Sequence, residues 1–448
     1  TPGPNDALRK NNNHLIAPRL GVSWDPYGSG KTAIRAGVGQ FFQRERISQQ
    51  VGMANNAPFG ISTTADRTLG VAPPLSAATA SSPSIGIDPR GVVPNSWQWN
   101  LSAEQELARE TTLQVGYVGN RGIHLTNTYD QNPVLVQNRT AAAFATNPNP
   151  FRLAPNFASI NRFGRDGNSS YHALQTMFRT KIKNHVNLQA VYTWSHSISD
   201  IELDNSSGGG GPSNFTDYTN HRLDRGNSTI NRPHILVVNS IINGPTLKGS
   251  NPFMEGVFGG WEFTTITTAE SGTSLTVFTQ GGAAGVSTLS GTGFGQNLRP
   301  NVVPGTSCNS SVGNGLREQI LNPAAFTVKG FQIGSIGNEP RGFCEGPRYF
   351  NSDLAFYKNW KVAEKLGIQF RLEMFNALNH ANFNSDLGPG NIDNQFNLSS
   401  LTCGGPCAVG NNVVTDFTSP AFDSTSSFGK SRKTRGPREI QYAIKFTF

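Results

Sequence analysis

The sequence predicts an all-β fold: an antiparallel transmembrane β-barrel segment of about eleven long strands, with short turns at one end and long loops at the other. Three observations lead there. The chain closes on an unbroken alternation, with Ile440, Tyr442, Ile444, Phe446 and Phe448 on one side and Glu439, Gln441, Ala443, Lys445 and Thr447 on the other. Side chains alternate across a strand, so this segment has one apolar and one polar face and suits a barrel wall. The same alternation recurs in pairs along the chain, each pair joined by a tight turn and followed by a long polar segment. Finally, no stretch approaches the 18 or more consecutive apolar residues that a membrane-spanning helix needs.

Taken in order, residues 14–24 place Ile16, Leu20, Val22 and Trp24 on one face and turn through Asp25-Pro-Tyr-Gly-Ser-Gly30 into residues 31–42. Trp97, Trp99, Leu101 and Ala103 begin the next pair, which turns at Arg109-Glu110 into Leu113, Val115 and Tyr117. Leu174, Thr176, Phe178 and Ile182 turn through Lys183-Asn-His185 into Val186, Leu188, Ala190, Tyr192 and Trp194. Ile235 to Ile242 connects through a longer Gly/Pro segment to Gly260-Trp-Glu-Phe263. Phe350, Leu354, Phe356 and Trp360 turn at Val362-Ala-Glu-Lys365 into Leu366, Ile368, Phe370, Leu372 and Met374. The intervening segments 43–94, 126–167, 200–230, 280–348 and 380–436 read as structureless loops, too long for a compact soluble domain. In an outer-membrane barrel, short turns face the periplasm and long loops the exterior. Trp24, Trp97, Trp99, Tyr192, Trp194, Trp261 and Trp360 fit two interfacial girdles. A secreted β-sandwich with an aromatic core is the competing fold, and it calls for shorter strands.

The formal charge of +8 is scattered, and its one dense run, Lys430-Ser-Arg-Lys-Thr-Arg435, directly precedes the terminal strand. No nucleic-acid partner is expected. Cys308, Cys344, Cys403 and Cys407 all fall in loop segments, an even count that favours disulfides in an oxidising compartment over a zinc knuckle. Cys403–Cys407 and Cys308–Cys344 are the expected pairs. Tyr27-Gly-Ser-Gly-Lys-Thr32 mimics a phosphate loop, but Asp25 stands where the first glycine must be, so a hairpin turn is the reading. His221, His234, Asp217 and Asp224 match no ligand spacing, and Asp200, Glu202 and Asp204 read as a solvated acidic loop. No metal, no cofactor and no enzyme activity is predicted. The remaining functional candidates lie on the polar strand face: Arg35, Gln114, Gln175, Arg179, Lys181, Gln189, Gln369, Arg371 and Glu373 are expected to point into the lumen.

Several segments together resemble the barrel of TonB-dependent outer-membrane receptors, particularly the Oar-like group. They include Ala17-Pro-Arg-Leu-Gly-Val-Ser-Trp24, Val93-Pro-Asn-Ser-Trp-Gln-Trp-Asn-Leu-Ser102 and Tyr117-Val-Gly-Asn-Arg-Gly-Ile-His-Leu125. Asn322-Pro-Ala-Ala-Phe326, Gly259-Gly-Trp-Glu-Phe263, Gly346-Pro-Arg-Tyr-Phe-Asn-Ser-Asp-Leu354 and residues 370–383 add to them. The closing segment with Tyr442, Phe446 and Phe448 is similar to the signal read by the barrel-assembly machinery. The resemblance implies a plugged barrel of roughly 22 strands that imports a scarce extracellular ligand with energy relayed by the TonB complex. Residues 14–448 would form the C-terminal half of such a barrel in the lipid of the outer membrane, after a short stub at 1–13. No signal peptide, TonB box or plug is recognised, so contact with TonB is expected only through a missing N-terminal half. Transport by this chain alone is not expected. The alternative is a surface protein whose long loops bind a neighbouring cell or polymer.

Overall fold

Alternating apolar and polar side chains favour extended backbone whose two faces meet different solvents, and these segments fold as strands. The computed structural model describes residues 15–43, 85–133, 152–155, 160–183, 185–201, 220–247, 251–279, 299–309, 319–331, 337–361, 366–384, 392–404, 413–423, 426–431 and 433–448. Its long strands are β1 (Arg19–Trp24), β2 (Thr32–Phe42), β3 (Asn95–Ala108), β4 (Thr111–Asp130), β5 (Asn161–Ile182) and β6 (Val186–Ser199). They continue with β7 (His234–Asn243), β8 (Trp261–Glu270), β9 (Tyr349–Lys361), β10 (Gly367–Phe375) and β11 (Glu439–Thr447). Each pairs antiparallel with its neighbours in chain order, forming one sheet. Two short strands extend it, Ile85–Ile87 parallel to β5 and Gly226–Asn227 beside β6. Among the described residues β1 and β11 each pair on one side only, so the sheet does not close into a ring.

The register keeps the two faces separate across the sheet. One face aligns Leu101, Tyr117, Leu174 and Trp194, and further along Ile242, Phe263, Phe356, Leu372 and Tyr442. The other aligns Arg35, Ser102, Gly116, Gln175 and Thr193. A one-residue slip in any pair would turn a whole strand's apolar set to the wrong side, so the register is strongly specified. Trp99 packs over Gly119, where a Cβ would overlap its indole ring, and lies 6.1 Å from the His172 ring.

Three predicted irregular regions fold differently from expectation. First, β4 and β5 are 20 and 22 residues long, about twice what crossing a bilayer requires, so both run into the predicted 126–167 loop. Beyond the membrane neither face must be apolar, so the alternation that marks the membrane part fades there. Second, the Gly/Pro connection between β7 and β8 contains a helix, α1 (Pro252–Phe258). Asn251 caps it, accepting a hydrogen bond from the Phe253 N–H at 3.0 Å, Pro252 opens it, and Gly260 at φ +66° turns the chain into β8.

Third, the described parts of the two loops after β8 and β10 are not structureless. They share a hydrophobic core that includes Leu275, Val277, Phe326, Val328, Ile392, Phe396 and Phe428. Short ladders frame it, pairing Ser274–Leu275 with Cys344–Glu345, Asn301–Val302 with Phe326–Thr327, and Ser400–Cys403 with Val414–Thr418. Cys308 and Cys344 are joined by a disulfide with Cα atoms 5.6 Å apart. Cys403 is also disulfide-bonded, and Cys407 lies outside the described residues.

Candidate functional site

The polar face of the sheet carries a hollow. This cavity of about 680 Å³ is lined by residues from β5 to β10, among them Arg179, Lys181, Gln189, Asn239, Asp353, Tyr357 and Glu373. The Tyr357 hydroxyl donates to Glu373 Oε1 at 2.9 Å. Arg371 Nε donates to Gln369 Oε1 at 2.6 Å, and its guanidinium lies 5.8 Å from the Tyr357 ring centre. Gln369 in turn donates to Asn359 Oδ1 at 2.8 Å. These bonds, two across β9 and β10 and one along β10, fix the donors and acceptors in place, which a recognition surface needs. By contrast Arg179 and Lys181 make no ion pair among the described residues and hold two positive charges toward the cavity.

Each polar residue predicted for the lumen falls on this face by register. Arg35 pairs with Glu104 at 2.7 Å across β2 and β3, while Gln114 lies opposite that same Glu104 and Gln175 lies opposite Thr193. The structure does not gather all of them into one pocket: Arg35, Gln114 and Gln175 belong to the β2–β6 side, whereas Arg371 and Glu373 stand beside Tyr357 on β9. Tyr442 and Phe446 lie on the exposed apolar face of β11, and Phe448 follows it, almost wholly exposed.

Above the long-loop end, charge is held by dense local pairing. Arg152 and Asp130 form a buried ion pair at 2.7 Å, and Arg152 also donates to the Asn132 carbonyl at 2.5 Å. Burial alone would raise the Asp88 carboxyl, but hydrogen bonds from the Arg90 side chain and backbone and the charge of Arg162 outweigh it and hold it at about 2. In the loop core, burial pushes the Glu339 carboxyl well above the ordinary range although its Oε1 accepts from the Val277 N–H at 2.9 Å. Of the residues considered for metal binding, His221 and Asp224 fall in one 3-10 turn, and Asp217, Glu202 and Asp204 lie outside the described residues. Among the described residues no group of three or more His, Cys, Asp or Glu is placed to hold a metal ion.

Sequence reasoning missed α1 and its seat on the wall. Lys358, on the apolar face of β9, is only 3% exposed and donates to the carbonyls of Glu255 (3.2 Å) and Gly259. The signal was present: Asn251-Pro252 ahead of Gly259-Gly260 is a helix start and stop. It spans so few residues that no periodicity accompanies it.

Solved structures similar to the chain include the outer membrane transporter YddB from Escherichia coli, at 10% identity and TM-score 0.47, covering 97% of this chain and 41% of that one. The ferripyoverdine receptor of the Pseudomonas aeruginosa outer membrane is 10% identical with TM-score 0.37, covering 83% of this chain and 30% of that one. The ferric-catecholate import receptor Fiu from Escherichia coli K12 is 11% identical with TM-score 0.25, covering 96% and 46% respectively. The chain therefore spans less than half the length of each. No curated protein sequence matches it. The family profile described as outer membrane beta barrel domain matches residues 1–441, nearly the whole strand series and both of its faces. The chain belongs to that family of bacterial outer-membrane proteins.

Proposed function

We propose that this chain is barrel wall from a TonB-dependent receptor of the Oar-like group, acting in uptake of a ligand across the outer membrane. The polar wall carries this reading: a hydrogen-bonded surface with a cavity of about 680 Å³, toward which Arg179 and Lys181, without an ion pair among the described residues, hold positive charge, suits a lumen in contact with a plug or a passing solute. In hydrocarbon an unpaired backbone group costs on the order of several kcal/mol. In this reading the free edges of β1 and β11 are therefore completed by the remaining strands of the receptor, which also brings the plug and the TonB contact. The barrel-assembly machinery reads Tyr442, Phe446 and Phe448.

A second reading, adhesion or polymer binding at the cell surface, draws support from the loop unit with its own core and disulfide. One experiment separates them. A strain lacking the full-length gene is compared with a TonB-deficient strain on limiting iron chelates, corrinoids, peptides and oligosaccharides. A shared growth defect on one nutrient class is the expected result. Normal growth on all of them, with lost attachment to surfaces or polymers, would replace uptake by adhesion.

A further inference from the structure

We infer that α1 is a membrane anchor: a helix clamped to the outside of the barrel wall that presents apolar side chains to the acyl chains of the leaflet at the short-turn end. Its position is set by side chains of the apolar, bilayer-facing side of the sheet. Trp261 Nε1 donates to the Val257 carbonyl at 2.8 Å, Trp360 Nε1 to the Gly256 carbonyl at 2.7 Å, and the Lys358 ammonium to Glu255 and Gly259. The carbonyls that end a helix have no partners within it and carry its negative pole, so a lysine and two indoles are suited to hold that end. A lysine on a lipid-facing wall is costly unless covered and hydrogen-bonded. Here the helix supplies both the cover and the acceptors.

With its backbone turned to the wall, α1 turns the rest of itself away. Phe253, Met254, Val257 and Phe258 are 69%, 44%, 41% and 60% exposed, and at helical spacing they fall on one arc. In water that cluster would be an unexplained apolar patch. It is instead continuous with the bilayer-facing belt: beside the helix lies a second, almost wholly apolar cavity of about 460 Å³ lined by Ile242, Trp261, Phe263, Phe356, Phe370 and Leu372. The occupant that fits both surfaces is phospholipid, its acyl chains against the phenylalanines and in the cavity and its headgroups level with the tryptophans.

The test uses the full receptor chain in phosphatidylcholine–phosphatidylglycerol liposomes, with a nitroxide on Phe253→Cys and, as a reference at the same end, on Ser29→Cys in the polar β1–β2 turn. Power saturation then compares collisions with oxygen, which enters lipid, and with a water-soluble nickel chelate. At position 253 oxygen is expected to dominate several-fold, while at position 29 nickel dominates. Lys358→Met is expected to raise the mobility of the 253 label while heat-modifiable gel migration stays unchanged. Nickel dominance at 253, equal to that at 29, would overturn the anchor. Failure of both labels to reach lipid-reconstituted protein would indict insertion itself, a different outcome that a third label at Phe356→Cys, expected in lipid under either reading, distinguishes.

Discussion

Replacing Phe396 with alanine is expected to unfold the loop unit while leaving the sheet intact. Phe396 is 0% exposed and its ring lies 5.5 Å from that of Phe428, 5.8 Å from Phe422, and 6.0 Å from both Phe326 and Phe417. A buried phenylalanine truncated to alanine typically costs about 3–5 kcal/mol, and a site ringed by other aromatics collapses poorly. At about 4 kcal/mol the open population of the unit rises roughly a thousandfold. Trypsin reports this directly, because cleavage at Lys329 and Lys433 inside the unit follows the open population when reclosing is fast. Cleavage should accelerate steeply, up to the ceiling set by a fully unfolded loop, while heat-modifiable migration of the strands is unchanged. Phe422→Ala, at a ring 52% exposed, should accelerate it far less. A similar small effect for both variants would refute the shared core. Simultaneous loss of the barrel would refute its separability from the sheet.

Three further outcomes are expected. Serine at both Cys308 and Cys344, which close a 36-residue separation, should destabilise the same unit by about 3–4 kcal/mol; tryptic nicking measures it, and its effect should add less than fully to that of Phe396→Ala. Gly119→Ala should cost about 1–3 kcal/mol by displacing Trp99, read as a lower heat-modification midpoint and altered indole fluorescence, whereas Gly21→Ala, with no atom nearer than 3.9 Å, should be tolerated. Because Asp88 is held at about 2 against an ordinary 3.8, its stabilisation is present above pH 4 and lost as pH falls through 2; on the order of 1–2 kcal/mol is expected after allowing for the half-exposed Arg90. Pepsin should nick the wild-type segment near residue 88 increasingly from pH 4 to 2, and Asp88→Asn about equally at both.

Legibility in the sequence tracked the solvent on each side of the chain. Where one face of the sheet is apolar and the other polar, as at Leu372 and Arg371, alternation is visible and the register follows from it. The outer ends of β4 and β5, with Asp130 and Arg165 buried among polar partners, face no lipid, so their strands read as loop. The loop core left only fragments of pattern. Leu275 with Val277, Phe326 with Val328, and Phe396 with Leu398 are each spaced by two, a strand signal, but every run is cut short before it rises above background. Helix α1 is likewise held by contacts between wall and carbonyl that no local pattern encodes.

The unequal height of the wall has a mechanical consequence. Where β4 and β5 continue past the bilayer, the rim is a hydrogen-bonded ladder, and bending it means shearing many backbone bonds together. Past the shorter β8 to β11, that end is made of side chains packed around Phe396 and tied by the Cys308–Cys344 disulfide, which open in smaller steps. Force applied at the long-loop end would therefore be absorbed unevenly, with the ladder flank holding and the side-chain-packed flank yielding first.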